Sequence, residues 1–257
     1  MRLVAFILFV FVLSCTPDNN NYVEDDCGIV YDLSEMYFKH ADTLKFEVHL
    51  FFLSEAKKSS FNMERDKEFI LKTLNKDFKD TKIQFQSSLK PTNIVDKTVA
   101  TNMEDFDGHS VMYSKRGAIS IFIYPSHSKS FFQGKANKIP GYSFGVKQPY
   151  VRTHPHILSH EMGHVLGLYH THQPDDSPKG NTSQTGDRVC DTPKSQSLLG
   201  QVTDKCEAAS YMNVDRILID NYMSYVPDQC RKNFTSGQIE RMKWVIENSK
   251  DLIDCLR

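Results

Sequence analysis

The sequence lacks a large net charge, long apolar runs and closely spaced cysteine pairs. Its 31 Lys and Arg residues nearly balance 32 Asp and Glu residues, so the formal net charge is −1. This balance excludes the basic footprint expected of a general nucleic-acid-binding protein. No apolar run reaches the roughly 18 residues of a conventional membrane-spanning helix. No cysteine pair has the C-x-x-C spacing, which disfavours a cysteine-based zinc site.

The N-terminus is typical of an export signal. Arg2 precedes eleven apolar residues, and Ser14 and Cys15 follow them. A positive charge, a short apolar core and a small residue predict a secretory signal peptide over residues 1–14. The boundary also resembles a bacterial lipoprotein signal, which predicts lipidation of Cys15 and a tether and N-terminal segment over residues 15–40. The alternative is an ordinary cleaved signal with an incidental cysteine; in both cases we expect export, to a bacterial cell envelope or surface if lipidated and otherwise by secretion.

The remaining cysteines leave at least one thiol unpaired in a monomer, because their number is odd. They are Cys27, Cys190, Cys206, Cys230 and Cys255. An exported protein can keep disulfides, but spacing alone does not decide which residues pair.

The first half of the chain has the pattern of a sheet with a packed helix. Apolar residues alternate from Phe46 to Phe52, at Ile83 and Phe85, and from Ile119 to Ile123, which predicts three strands. Between the first two strands, apolar residues from Met63 to Phe78 recur at helical spacing. The simplest interpretation of these apolar residues is that they form the core.

The second half combines two helices with a long irregular stretch. Apolar residues surround much of the segment 155–168, which predicts a largely buried helix. Residues 171–234 are rich in Asp, Pro, Gly, Ser and Thr, and an irregular stretch of this length is normally functional or held by special contacts. Thr235 and Gln238 have the spacing of a capping box, and the apolar face of the helix that follows extends to Ile253.

The segment 160–170 carries the chemistry. It reads His-Glu-Met-Gly-His-Val-Leu-Gly-Leu-Tyr-His. On a helix, His160 and His164 project from one face one turn apart, so both imidazoles can reach one ion. Gly167 permits a sharp turn that returns His170 as a third ligand. Three neutral nitrogens leave a fourth zinc position open, which is typical of a catalytic site, and Glu161 lies close enough to act as general base.

Other interpretations remain open at this stage. The helix could be a buried element with satisfied histidines, or a structural zinc strut in a surface binding module. An acid at position 161 favours an enzyme, because a strut has no use for it. A metallohydrolase of non-peptide amides is also compatible with the zinc ligands. We interpret His154 and His156 as first-turn or surface residues, and His172 as a solvent-facing loop residue.

The pattern H-E-x-x-H-x-x-G-x-x-H resembles that of the metzincin zinc peptidases. Three further matches are similar to the pappalysin family and extend the resemblance over residues 154–243. They are the Gly-Asp-Arg-Val-Cys-Asp-Thr-Pro segment at 186–193, the Asn-Tyr-Met-Ser-Tyr form of the Met-turn at 221–225, and the Cys-x-x-x-Phe-Thr-x-x-Gln-x-x-Arg-Met segment at 230–242.

The resemblance implies a role for each matching residue. The zinc ligands would be His160, His164 and His170. Glu161 would take a proton from the zinc-bound water and pass it to the leaving amine. Met223 would form the apolar floor beneath the metal, and Tyr225 would donate its hydroxyl to the oxyanion. The resemblance also implies a disulfide between Cys206 and Cys230.

Pappalysin relatives also bind calcium near the Gly-Asp segment. Asp187, Asp191 and the carbonyl of Thr192 are the candidate ligands, since calcium prefers carboxylate and carbonyl oxygens. Cys190 within this segment is not expected from the family. Either Cys27 or Cys255 could pair with it.

The resemblance implies an α+β, metzincin-like catalytic domain over residues 41–257. Its N-terminal lobe, 41–167, would hold a mixed sheet with packed helices that include the active-site helix. Its C-terminal lobe, 168–257, would be irregular, with the Met-turn and a terminal helix. The implied activity is that of a zinc endopeptidase acting on proteins or peptides, with one catalytic zinc. From the N-terminal signal and the charge balance, we expect contact with a membrane only through the lipid anchor, and no nucleic acid.

Overall fold

The computed structural model describes residues 43–56, 62–174 and 186–257. The predicted signal peptide, the lipidation site at Cys15, the tether and Cys27 lie outside these residues. Within them, no helix combines the length and apolar character needed to cross a membrane.

A mixed sheet forms the first half of the described chain. Its six strands are β1 (Leu44–Ser54), β2 (Ile83–Gln86), β3 (Thr92–Val95), β4 (Ile119–Tyr124), β5 (Gly134–Ala136) and β6 (Ser143–Lys147). The strand order is β2-β1-β4-β6-β5, and β3 also pairs with β1. All pairs are parallel except β5 with β6. The antiparallel β5 therefore ends the described sheet next to the active-site helix.

Eight α-helices surround this sheet and continue beyond it in the described residues. They are α1 (Met63–Asp77), α2 (Lys97–Thr101), α3 (Phe106–Tyr113), α4 (Gln148–Thr153), α5 (Ile157–Val165), α6 (Arg216–Ile219), α7 (Ser236–Asn248) and α8 (Lys250–Ile253). Two short 3₁₀ turns lie at Met103–Asp105 and Asp228–Cys230.

Helices cover both faces of the sheet because β1 is apolar on both sides. Phe46, Val48, Leu50 and Phe52 are fully buried in the larger core with α1, α5 and α7. Phe51 and Leu53 point the other way, as alternation along a strand requires, and pack with α2 and α3. Helix α5 therefore lies inside the larger core, and all nine of its residues are buried.

The fold confirms the predicted α+β architecture and corrects two boundaries. The helix predicted over 155–168 spans only Ile157–Val165, because Gly167 turns the chain with φ of +97°. The terminal helix ends at Asn248, since Ser249 is extended and starts a separate short helix. Ile253 is consequently 41% exposed and does not extend the apolar face of α7 as predicted.

Candidate active site

Three histidines meet at one point beside α5. His160 Nε2 lies 3.2 Å from His170 Nε2, and His164 Nε2 lies 3.0 Å from the same atom. The helix supplies the first two rings one turn apart, and the turn at Gly167 returns the third. A Cβ at Gly167 would lie 2.6 Å from Val245, so the turn needs glycine for space as well as for its positive φ.

Backbone carbonyls fix the orientation of two of these rings. His160 Nδ1 lies 2.7 Å from the carbonyl oxygen of Tyr222, and His164 Nδ1 lies 2.8 Å from that of Leu168. Each Nδ1–H donates to its carbonyl, so each Nε2 carries a lone pair directed at the common point. These second partners come from the Met-turn and from the segment after Gly167, so the C-terminal half orients ligands held by the helix.

The donor set fits a cation. If all three rings are neutral, His170 Nε2 can donate a proton to only one of its two neighbours. The other pair would then face each other through lone pairs at 3.0 or 3.2 Å. A divalent ion bound by all three nitrogens removes this repulsion, and zinc prefers three imidazoles with an open fourth position. In the described residues, these histidines form the one cluster of possible metal ligands.

Burial keeps the three imidazoles neutral. It is the main cause of a pKa of about 4 for His164 and about 3 for His170, and it holds the pKa of His160 well below its usual range. Neutral imidazole is the form that binds metal, so the site is prepared for an ion over the physiological pH range.

Glu161 lies on the same helix against strand β5. It is 5% exposed, and burial raises its pKa to about 8, whereas the charge of Arg231 and a hydrogen bond from the Ala136 backbone act in the opposite direction. Gly134 makes room for it, because a Cβ there would lie 2.7 Å from Glu161 Oε1. A buried acid beside a metal site and a sheet edge suits proton transfer.

The Met-turn packs closely against helix α5. Met223 is fully buried, and a Cβ at Gly163 would lie 2.5 Å from its sulfur, so glycine at position 163 lets the turn approach α5. Tyr225 follows, with its ring centroid 4.6 Å from that of His170 and 5.9 Å from that of His160. Burial raises the pKa of the Tyr225 hydroxyl, which keeps it protonated as a hydrogen-bond donor.

Helix α7 holds the Met-turn in place through its own capping box. Gln238 accepts from the Thr235 backbone and also exchanges two side-chain hydrogen bonds with Asn221, at 2.9 and 3.1 Å. Asn221 in turn accepts from the Met223 backbone at 2.8 Å. The predicted capping box is confirmed, and its Gln238 also holds Asn221, which binds the Met-turn backbone.

The region before the Met-turn carries the other predicted residues. A disulfide joins Cys206 and Cys230, as the resemblance implies. Cys255 has a free thiol, so it does not pair with Cys190 in this structure.

The predicted calcium ligands have protein partners in the structure. Asp187 accepts from Thr192 Oγ1 and from the Val189 backbone, and burial raises its pKa to about 7. Asp191 accepts from Thr235 Oγ1 and the Gly237 backbone, which places it at the N-terminus of α7. The calcium site stays a prediction.

The three histidines that flank the zinc-binding motif, His154, His156 and His172, differ in their exposure to solvent. His154 is exposed as predicted. His156 is half-buried, and its Nδ1 lies 2.7 Å from the buried Asp77, which also accepts from Ser159. The prediction for His172 was wrong: its ring stacks on His170 with centroids 4.9 Å apart, and its Nδ1 is buried without a hydrogen-bond partner in the described residues.

The structure shows the surroundings of two further residues, Ser143 and Arg231. Residues 141–145 spell Gly-x-Ser-x-Gly, the pattern of a nucleophile elbow, but Ser143 lies inside β6, fully buried and bonded to Ser110. The pattern therefore has no catalytic geometry here. Conversely, the charge of Arg231 acts on Glu161 and Tyr225 although no motif marks an arginine after Cys230, so sequence reasoning had no signal for it.

The fold and the three-histidine site together define a metzincin-like domain. Comparison with known proteins agrees: the family model described as pregnancy-associated plasma protein-A (Peptidase_M43) matches residues 132–247. The chain is also similar in fold to mature mirolysin of Tannerella forsythia, solved in complex with a cleaved peptide. That similarity has a TM-score of 0.56 at 19% identity and covers 82% of this chain and 94% of mirolysin.

Two fungal relatives carry the sequence similarity further. An extracellular metalloprotease of Arthroderma gypseum is 29% identical over 192 residues, which cover 66% of this chain and 61% of that protein. An extracellular metalloprotease of Neurospora crassa is 43% identical over 88 residues, 34% of this chain and 28% of that protein. The chain thus spans less than two thirds of each relative. The predicted resemblance to pappalysin-type metallopeptidases is confirmed over the active-site half.

Proposed function

We propose that this protein is a zinc-dependent endopeptidase. The observation that carries the proposal is the convergence of three Nε2 atoms, 3.0 and 3.2 Å apart, beside the buried Glu161. The similarity to proteins named as metalloproteases supports peptides or proteins as substrates.

Each residue of the site has a separate role in the proposed hydrolysis. His160, His164 and His170 would hold the ion, which when bound supplies a Lewis acid that lowers the pKa of water to about 7 and polarises a peptide carbonyl. Glu161 accepts the proton of the attacking water and passes it to the nitrogen of the leaving amine. Tyr225 donates its hydroxyl to the carbonyl oxygen as negative charge develops there. No covalent intermediate with the protein is needed.

The test is Glu161→Gln, which removes the base and leaves the three imidazoles. We expect about one zinc per chain in both proteins, and a 10²–10⁴-fold lower rate of peptide cleavage in the variant. Zinc is measured by elemental analysis and cleavage with quenched fluorescent peptides. Glu68→Gln, at an exposed glutamate on α1, is the matched control and should cleave at the wild-type rate.

Three outcomes would contradict the proposal. Full activity of Glu161→Gln would remove the base from the mechanism. Zinc-loaded wild type that cleaves no peptide would indicate a silent binding module. Hydrolysis of small amides without any peptide cleavage would indicate the non-peptide alternative.

We also propose export with a lipid anchor at Cys15. The names of the relatives as extracellular proteins support export, and the anchor depends on the sequence before Cys15 alone. Cys15→Ser should move the protein from the membrane to the soluble fraction after detergent-free fractionation. Unchanged partitioning of that variant would refute the anchor.

A further inference from the structure

Arg231 is a charged residue that the proposed mechanism does not use. It directly follows Cys230 at the end of the 3₁₀ turn that begins at Asp228. Its side chain is only 12% exposed. Its Nε is fully buried and has no hydrogen-bond partner in the described part of the chain. Buried guanidinium groups are normally paired, so this one requires an explanation.

The neighbouring acid does not satisfy it. Arg231 Nη1 lies 4.0 Å from Asp228 Oδ1, which is too long for a hydrogen bond. Asp228 Oδ1 is itself buried without a partner, and its other oxygen accepts from the His156 backbone at 3.4 Å. Asp228 is thus held towards the start of α5, and the donors of Arg231 stay available.

The guanidinium lies close enough to the candidate active site for its charge to act there. Its positive charge lowers the pKa of Glu161 and of Tyr225, and it also acts on His160 and His170. The Met-turn and the Cys206–Cys230 disulfide fix the segment that carries it. With neutral imidazoles and a divalent cation bound, Arg231 leaves the summed charge of these groups positive, even with Glu161 and Asp228 ionised.

We propose that Arg231 is a specificity residue that binds a carboxylate of the substrate close to the scissile bond. A guanidinium presents planar donors that match a carboxylate, so such a substrate would compensate the buried positive charge of Arg231. The carboxylate can belong to an acidic side chain or to the C-terminus of the substrate. This inference rests on the proposed peptidase function.

The experiment compares peptides that differ only in one carboxylate. In the first arm, peptides with an amidated C-terminus carry Glu or Gln at each position flanking the scissile bond. In the second arm, neutral peptides carry a free or an amidated C-terminus. We expect the zinc-loaded wild type to show at least about a tenfold higher kcat/KM for the carboxylate member of one arm, and the arm that responds identifies the source.

Four variants test whether Arg231 causes the preference for a carboxylate. Arg231→Met should reduce the ratio to about one, mainly through KM, and Arg231→Lys should retain part of it. Asp228→Asn should increase the ratio, because it removes a competing negative charge. Lys232→Met, at the exposed neighbour that pairs with Asp220, is the control and should keep the wild-type ratio.

A binding measurement separates this inference from the proposed function. Zinc-loaded Glu161→Gln protein is titrated calorimetrically with the same peptide pairs, with and without Arg231→Met. Tighter binding of the carboxylate member that depends on Arg231 supports the inference even if the wild type cleaves nothing. Equal affinities together with equal kcat/KM values in both arms would overturn it, whether or not Arg231→Met folds.

Discussion

In the N-terminal region, residues 43–56 and 62–165, apolar side chains on both faces of a largely parallel sheet determine where the chain runs. Residues 166–174 and 186–235 have little regular structure, and their course depends on a disulfide, a glycine turn and side-chain hydrogen bonds. Helix α5 belongs to the first region, but the groups that orient its histidines belong to the second. Stability and site geometry therefore have separate structural origins, and variants should be able to separate them.

The largest expected effect on stability lies in the sheet. Leu50→Ala removes a fully buried side chain from β1 and should lower the free energy of unfolding by about 2–5 kcal/mol. The activity of the protein that remains folded should hardly change, because the carbonyls that orient His160 and His164 belong to Tyr222 and Leu168 and not to the sheet. Urea denaturation and kcat per zinc-loaded molecule test both statements. A large loss of kcat at full zinc content would mean that the two regions are not separable.

The disulfide should have an effect of similar size but of a different kind. Replacing Cys206 and Cys230 by Ala opens a loop of 24 residues, which should cost about 3 kcal/mol by the chain-entropy estimate. Because Cys230 follows the Met-turn and precedes Arg231, we also expect kcat/KM to fall. Stability by urea denaturation and peptide cleavage are measured in parallel. Unchanged cleavage by the double variant would show that the disulfide does not hold the site.

The smallest expected losses of stability come from variants of two helix caps. Asn62→Ala removes the cap of α1, and Gln238→Ala removes half of the capping box of α7. Each should cost about 1 kcal/mol of stability. Only Gln238→Ala should also lower kcat, since Gln238 holds Asn221 beneath the histidines. Equal kcat values for the two variants would contradict the proposal that Gln238 positions Asn221 and the Met-turn.

The same division explains which features the sequence predicted. Alternation and helical periodicity located β1, β2, β4 and α1, because burial against one core imposes those periods. Strands β5 and β6 are short and contain glycine, so they left no periodic signal. Yet β5 is the strand that contacts Glu161 through Gly134.

At the site, spacing located the three histidines because the helix and the Gly167 turn act locally. Features that depend on contacts across the chain were invisible. Gly163 occupies a position that the motif leaves open, yet it admits the sulfur of Met223. His172 stacks on His170, and the charge of Arg231 acts on Glu161, only in the folded chain, and no pattern in the sequence marks either residue.

The most direct test of the central claim is the coordination of the ion itself. X-ray absorption spectroscopy of the zinc-loaded protein should show three imidazole nitrogens at about 2.0–2.1 Å, and His170→Ala should reduce that number to two. The number of imidazoles should not change in Glu161→Gln, because Glu161 is not a ligand. A zinc spectrum with sulfur ligands, with fewer than three imidazoles in the wild type, or unchanged by His170→Ala would contradict the account.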